Sequence, residues 1–320
     1  MRKHFRTYCL LAVAVVAVAL LSVSCIKDND PAVGGKASVT MTFTTRVSDN
    51  VTAENLLDNE QMRKLRVIVA RSGTNDIIYN VSYDIQPAEK QKVIRFSELT
   101  VSEEGEDFDF YAIANEEAFL GEGESLEGKS VDLNALKSRI LKKDFNSPAL
   151  SKIPQAAFKT IKVGPSENTS AIMKLLFPLA KVVLNFDNQT GESVDLSNVA
   201  ISGKIADRGY LFKEINTGYP DDIIDKGPVT FGDIVVPDEQ AVSYIRYLYP
   251  WTSENTYKLT ATWGSKTHEV VFKIGDEELK KLEAGQQLNV NVSLLVNKQV
   301  TIDWKVDDWN PVTNDVPSFN

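Results

Sequence analysis

Short stretches in which every second side chain is apolar recur along this chain, and a period of two belongs to strands half-buried on a sheet. Val39, Met41 and Phe43 alternate with Ser38, Thr40, Thr42 and Thr44. Leu288, Val290, Val292 and Leu294 alternate with Asn289, Asn291 and Ser293, and Val300, Ile302, Trp304 and Val306 with Thr301, Asp303 and Lys305. In the run Phe108, Phe110, Ala112 and Ala114 the intervening positions include Tyr111 and Ile113, so that strand is walled on both faces and central. Short strands with turn residues between them predict a mainly β chain: two β-sandwich domains of transthyretin-like or Greek-key type, with a few short helices.

In order, strands are expected at Lys64–Ala70, Asp76–Tyr83 and Lys92–Phe96 before the Phe108 run. Ser130 or Asp132 caps a helix in which Leu133, Leu136, Ile140 and Leu141 share a face, ending near Lys143. Phe145 to Pro154 reads as loop, and a second strand series opens at Ala171. Ile172–Leu176 and Ala180–Phe186 flank Pro178, which cannot donate to a ladder and so marks the break between domains. Val199–Ile205 follows, then an irregular stretch from Gly209 to Asp233, then strands Ala241–Tyr249, Tyr257–Trp263 and Glu269–Ile274. Asp276, Glu277 and Glu278 ahead of Leu279 and Leu282 suggest a short capped helix.

The chain begins as a secretion signal: Arg2, Lys3 and Arg6, the apolar run Cys9–Leu21, then Ser22, Val23 and Ser24 before Cys25. That run is shorter than the ~18 residues a membrane span needs. Small residues before a cysteine resemble the bacterial lipobox, which implies diacylation of Cys25; Leu21 stands one position early, and a free thiol after ordinary cleavage is the alternative. The tether that follows carries Asp28 and Asp30 and resembles the surface-export signal of Bacteroides-type lipoproteins. Removing three basic residues takes the formal charge from −9 to −12, which argues against nucleic acid as a partner. With Cys9 discarded, no intramolecular disulfide is available.

Enzymatic chemistry finds little to work with, so the chain is expected to be no enzyme and to need no cofactor or metal. His268 is the one histidine after the signal and lies in a strand-like run. There is no phosphate loop, nucleophile elbow or metal-ligand cluster. The acidic run Glu103, Glu104, Glu106, Asp107 and Asp109 and the pairs Asp221-Asp222 and Asp307-Asp308 lack calcium-loop spacing and read as solvated faces. Trp251, Trp263, Trp304 and Trp309 offer either core residues or a sugar-stacking platform, which keeps a monomeric surface glycan-binding lipoprotein open as an alternative.

The first strand is tied to the rest by the loop Val47–Glu60, with Arg46 between them. A cut at Arg46–Val47 frees that strand and leaves a groove, although a basic residue there also serves to guard an edge. At the far end, Val300–Val306 and, after Trp309, Asn310 and Pro311, the segment carrying Val312, Val316 and Phe319 are both strand candidates able to fill such a groove in a neighbour. The later segment is the better donor, because Asn310-Pro311 lets it swing free. Such a contact is head-to-tail and propagates into a fibre.

Together the signal, the strand ending at Arg46, the Leu65–Ala70 strand, Phe110-Tyr111-Ala112-Ile113-Ala114-Asn115, Leu179-Ala180-Lys181-Val182 and the ending from Val300 to Phe319 resemble the Bacteroides-type fimbrillins, subunits of FimA-like type V pili. The resemblance implies a lipoprotein anchored by outer-membrane lipid at Cys25, trimmed after Arg46 by an arginine-specific surface protease, and joined to neighbouring pilin subunits on the cell surface as a fimbrium. It implies this layout: residues 1–24 signal, 25–36 tether, 37–46 removable strand, 47–178 and 179–298 the two sandwiches, and 299–320 the donor segment. The irregular Gly209–Asp233 stretch keeps a tip or anchor subunit open beside a stalk subunit.

Overall fold

The computed structural model describes residues 35–45, 56–86, 89, 91–146, 152–216, 218–251, 255–274 and 276–309. The first lobe contains β1 (Lys36–Thr45), β2 (Lys64–Arg71), β3 (Ile77–Asp84), β4 (Gln91–Thr100), β5 (Glu106–Ala114), α1 (Leu133–Lys137), β6 (Ile140–Leu141), β7 (Gln155–Val163) and β8 (Asn168–Leu175). The second contains β9 (Ala180–Asn188), β10 (Val194–Ser202), β11 (Gly209–Tyr210), β12 (Val229–Val236), β13 (Ala241–Leu248), β14 (Lys258–Trp263), β15 (Lys266–Val271), β16 (Lys273–Ile274), β17 (Glu277–Glu278), β18 (Gln286–Leu295) and β19 (Gln299–Asp308).

Each lobe is two sheets face to face. In the first, the sheet β4-β1-β8 covers β3-β2-β5-β7; in the second, β13-β9-β18-β19 covers β12-β10-β14-β15. Alternation places Val39, Met41, Phe43, Val67, Phe96, Phe108 and Phe110 in the first core, and Val182, Leu184, Ile201, Leu259, Val290 and Val292 in the second. The other face of the second sheet is not solvated. Ile68, Tyr111 and Ile113 meet Phe177, Leu211, Phe212, Tyr247 and Trp309 in a third core that joins the lobes. As its sequence requires, β5 sits between β2 and β7 and is buried on both faces.

Asn115 closes that strand and shows how the joint is made. Its backbone is left-handed (φ 56°, ψ 48°), a conformation that asparagine tolerates better than most residues. Its buried amide accepts from the Arg63 N–H at 2.9 Å and donates to the carbonyls of Gln61 (2.9 Å) and Ile153 (3.0 Å). One side chain therefore fastens the entrance to β2, the exit of β5 and the approach to β7. Asn115→Ala is expected to destabilise by about 2 kcal/mol, since it orphans buried partners and strains the backbone; a chemical melt should show Asn115→Gly, which relieves the strain alone, losing less.

Four expectations are corrected. The helix covers only Leu133–Lys137 and is capped by Asp132, whose Oδ1 accepts from the N–H groups of Asn134 (2.9 Å) and Ala135 (3.1 Å). Ile140 and Leu141 leave it to pair with Tyr210 and Gly209. The helix expected after Asp276 is instead the tiny hairpin β16-β17, because seven residues are too few to nucleate a helix where Leu279 and Leu282 are already buried by the second core. β7 lies where no strand is expected, since it opens on Gln155-Ala156-Ala157, a weakly strand-forming trio held by burial. β12 starts inside the supposed irregular stretch and carries Gly232 at φ 80°, which hides its period at a register shift.

Candidate functional site

β1 is the middle strand of its sheet, antiparallel to β4 and parallel to β8. Val39, Met41 and Phe43 are fully buried, opposite Phe96, Ile94 and Lys92 of β4 and Thr169, Ala171 and Met173 of β8. On the outer face Ser38 bonds to Asn168, and Arg95 Nη2 donates to both at 3.3 Å. β4 is bulged opposite Ala37 and Val39, with Glu98 at φ 62°, which pins the register. Take β1 away, and two strand edges and an apolar floor open together. At roughly 1.5–3 kcal/mol for each buried side chain, three anchors hold β1 by several kcal/mol. Met41→Ala is expected to lower the stability of the uncut chain by about 2–4 kcal/mol, measured by urea melting.

Where the chain returns from the loop after β1, it enters the lobe junction. Glu60 and Lys181 are fully buried and paired at 2.7 Å. Tyr247 donates its hydroxyl to Glu60 Oε1 at 2.9 Å and receives Asn59 Nδ2 at 3.3 Å. Burial lowers the pKa of Lys181 against the pull of Glu60, and it raises that of Tyr247, with Glu60 adding to the rise. The far wall is Trp309, whose ring lies 5.5 Å from Lys181 Nζ. Glu60, four residues before β2, and Trp309, directly after β19, are thus parts of one cluster. The sequence signal for this role is a lysine inside the apolar run from Leu179 to Leu184, because a charge there requires a buried partner.

β19 is an edge strand, paired residue for residue with β18 from Gln299↔Leu295 to Asp308↔Gln286. Val300, Ile302, Trp304 and Val306 pack partly buried on the second core. Cys25, Arg46, Val47, Val312, Val316 and Phe319 lie outside the described residues.

The tryptophans are divided between cores, Trp263 and Trp304 in the second and Trp251 and Trp309 in the third, so they form no shared platform. His268 is half-buried on β15 opposite Ala261, its pKa lowered by burial and by Lys266. Asp109, from the acidic run, is buried against Lys137 Nζ (3.0 Å) and Thr160 Oγ1 (2.7 Å).

Neither a known family's sequence signature nor a curated protein sequence matches the chain. Solved structures do. The tip fimbrial protein Mfa3 of Porphyromonas gingivalis superposes with a TM-score of 0.51 at 13% identity, over 86% of this chain and 100% of that one. The fimbrilin FimA of the same organism gives 0.53 at 8% identity, over 87% and 98%. A candidate cell adhesion protein of Parabacteroides distasonis gives 0.53 at 14% identity, over 88% and 99%.

The chain has the fimbrillin fold. The likeness takes in both lobes, because it spans most of this chain and nearly all of the others. In this fimbrillin fold β1 is the first element of the described residues and the central strand of its sheet. β4 and β8 each keep a core-facing row without it: Ile94 and Phe96 on one, Met173 and Leu175 on the other.

Proposed function

We propose that this chain is a structural subunit of a cell-surface pilus, without enzymatic activity, that polymerises by exchanging β1 for a strand of its neighbour. The observation that carries this is the position of β1: terminal in the described chain, central in its sheet, and held by three apolar anchors on one face. A central strand that leaves exposes two unpaired strand edges, a ready-made slot for another strand. The fold shared with fimbrial proteins supports the same assignment.

The precursor travels to the outer membrane as a lipoprotein through Cys25, an arginine-specific protease cuts after Arg46, and the segment bearing Val312, Val316 and Phe319 completes the slot of the next subunit. β19 stays in its own sheet, paired along its whole length with β18. Sequencing the N-terminus of surface-assembled protein tests the trimming: Val47 is expected, and a lipid-bearing Cys25 with β1 intact would overturn it. Cys25→Ala should release the precursor from membranes, as read by fractionation. Arg46→Ala should leave monomers at the surface, and fibres of ordinary length from that variant would remove the proteolytic trigger.

A further inference from the structure

Trp309 follows β19 directly and is completely buried. Its ring is stacked between Phe177, at 4.0 Å and 16°, and Tyr247, at 5.6 Å and 9°, and its backbone N–H donates to the Gly285 carbonyl at 2.9 Å. β19 itself is held far less firmly. It is hydrogen-bonded to one neighbour only, and its side chains alternate between exposed and half-buried.

The register makes the difference matter. Asp308↔Gln286 is the rung next to Trp309, and the ladder runs from there to Gln299↔Leu295. A pull on the chain behind residue 309 loads those rungs one after another, which is the weak way to load a ladder, because each bond breaks alone. Trp309 stands ahead of the first rung. It must leave its stack before Asp308 feels the pull.

We propose that Trp309 is a mechanical pin, which stops tension on the C-terminal segment from peeling β19 away and passes that tension across the lobe junction. Phe177 belongs to the crossing between β8 and β9, and Lys181, under the ring, is bonded to Glu60 of the first lobe. Force entering at the tail therefore reaches the lobe that holds the β1 slot through the start of β9 and Glu60, and not down the β18–β19 ladder. Its use rests on the proposed fibre, in which each subunit is pulled by its tail and by its slot.

The test is single-molecule pulling of the full chain from a handle at exposed Asn75 in the first lobe. The second handle is placed either at Thr313, behind the pin, or at exposed Val296, at the other end of β19. Trp309→Ala should lower the first rupture force by roughly half in the Thr313 geometry and leave the Val296 geometry nearly unchanged, with Trp309→Phe between wild type and alanine. If Trp309→Ala does not fold, Trp309→Leu, large and apolar but unable to stack, carries the same comparison. An equal drop in both geometries makes Trp309 an ordinary core residue and overturns the pin, as does no drop in either. The isolated chain is what is pulled, so a drop confined to the Thr313 geometry in a protein that forms no fibres would keep the pin and sink the fibre.

Discussion

Lys181→Ala is expected to cost about 3–5 kcal/mol of folding stability, a large share of the roughly 5–15 kcal/mol that a folded chain has in hand. The reason is less the loss of an attraction than what it leaves behind. Glu60 would remain fully buried without its charged partner, left with the Tyr247 hydroxyl and the Leu57 N–H as its described hydrogen-bond donors. Lys181→Met combined with Glu60→Gln removes both charges and keeps the volume, so that pair should recover most of the loss. Denaturant melts of the three chains measure this, and a double variant no more stable than Lys181→Ala would show that the charge pair is not the source.

Alkaline pH acts on the same cluster in two opposing senses. Burial lowers the pKa of Lys181, so the unfolded chain holds that proton to a higher pH, and the group's contribution to stability improves as pH rises toward the ordinary lysine value of 10.5. Burial raises the phenols of Tyr247 and Tyr249 above their ordinary 10.0, so the unfolded chain loses those protons first and stability falls beyond that point. Above pH 10.5 only the tyrosine loss continues, at up to about 1.4 kcal/mol per pH unit for each phenol. Tyr247→Phe should flatten the high-pH arm of a stability-against-pH curve, and an unchanged slope would exclude this phenol as a cause.

A chain truncated after Trp309 is expected to fold, reach the surface and be trimmed at Arg46, yet to form no fibres. Every described β-ladder and every described core residue lies at or before Trp309, so the truncated chain keeps all of them. The effect should be all-or-none in electron micrographs of surface material, since a subunit without a donor ends growth. A peptide of Pro311–Asn320 should bind trimmed protein and not the untrimmed form, whose slot is filled by β1. Normal fibres from the truncated chain, or equal binding to both forms, would move the donor role elsewhere. Within a regular strand Val312 and Val316 share a face with Asn314 between them, in the place corresponding to Met41. Asn314→Leu should therefore tighten peptide binding.

Alternation determined most of the strands, because a half-buried strand writes its orientation into every second residue. Val39, Met41 and Phe43 on β1, Phe108 to Ala114 on β5 and Leu288 to Leu294 on β18 all sit on the faces their spacing demands. The same signal made β1 recognisable as a separate terminal strand. It could not say that β1 is central, since the order of strands in a sheet is set by partners distant in sequence, here β4 and β8. Nor could it find β7 or β12, whose periods are blurred by alanines and by Gly232 at a register shift, or rule out helices after Lys137 and Asp276 that local composition favours. Only tertiary packing decided those cases, because burial across a sheet is worth more than the few tenths of a kcal/mol separating local propensities. The junction of Glu60, Lys181, Tyr247 and Trp309 was decided the same way: four residues spread over the length of the chain carry no shared sequence pattern, and they meet because two sandwiches must bury their facing sides against each other.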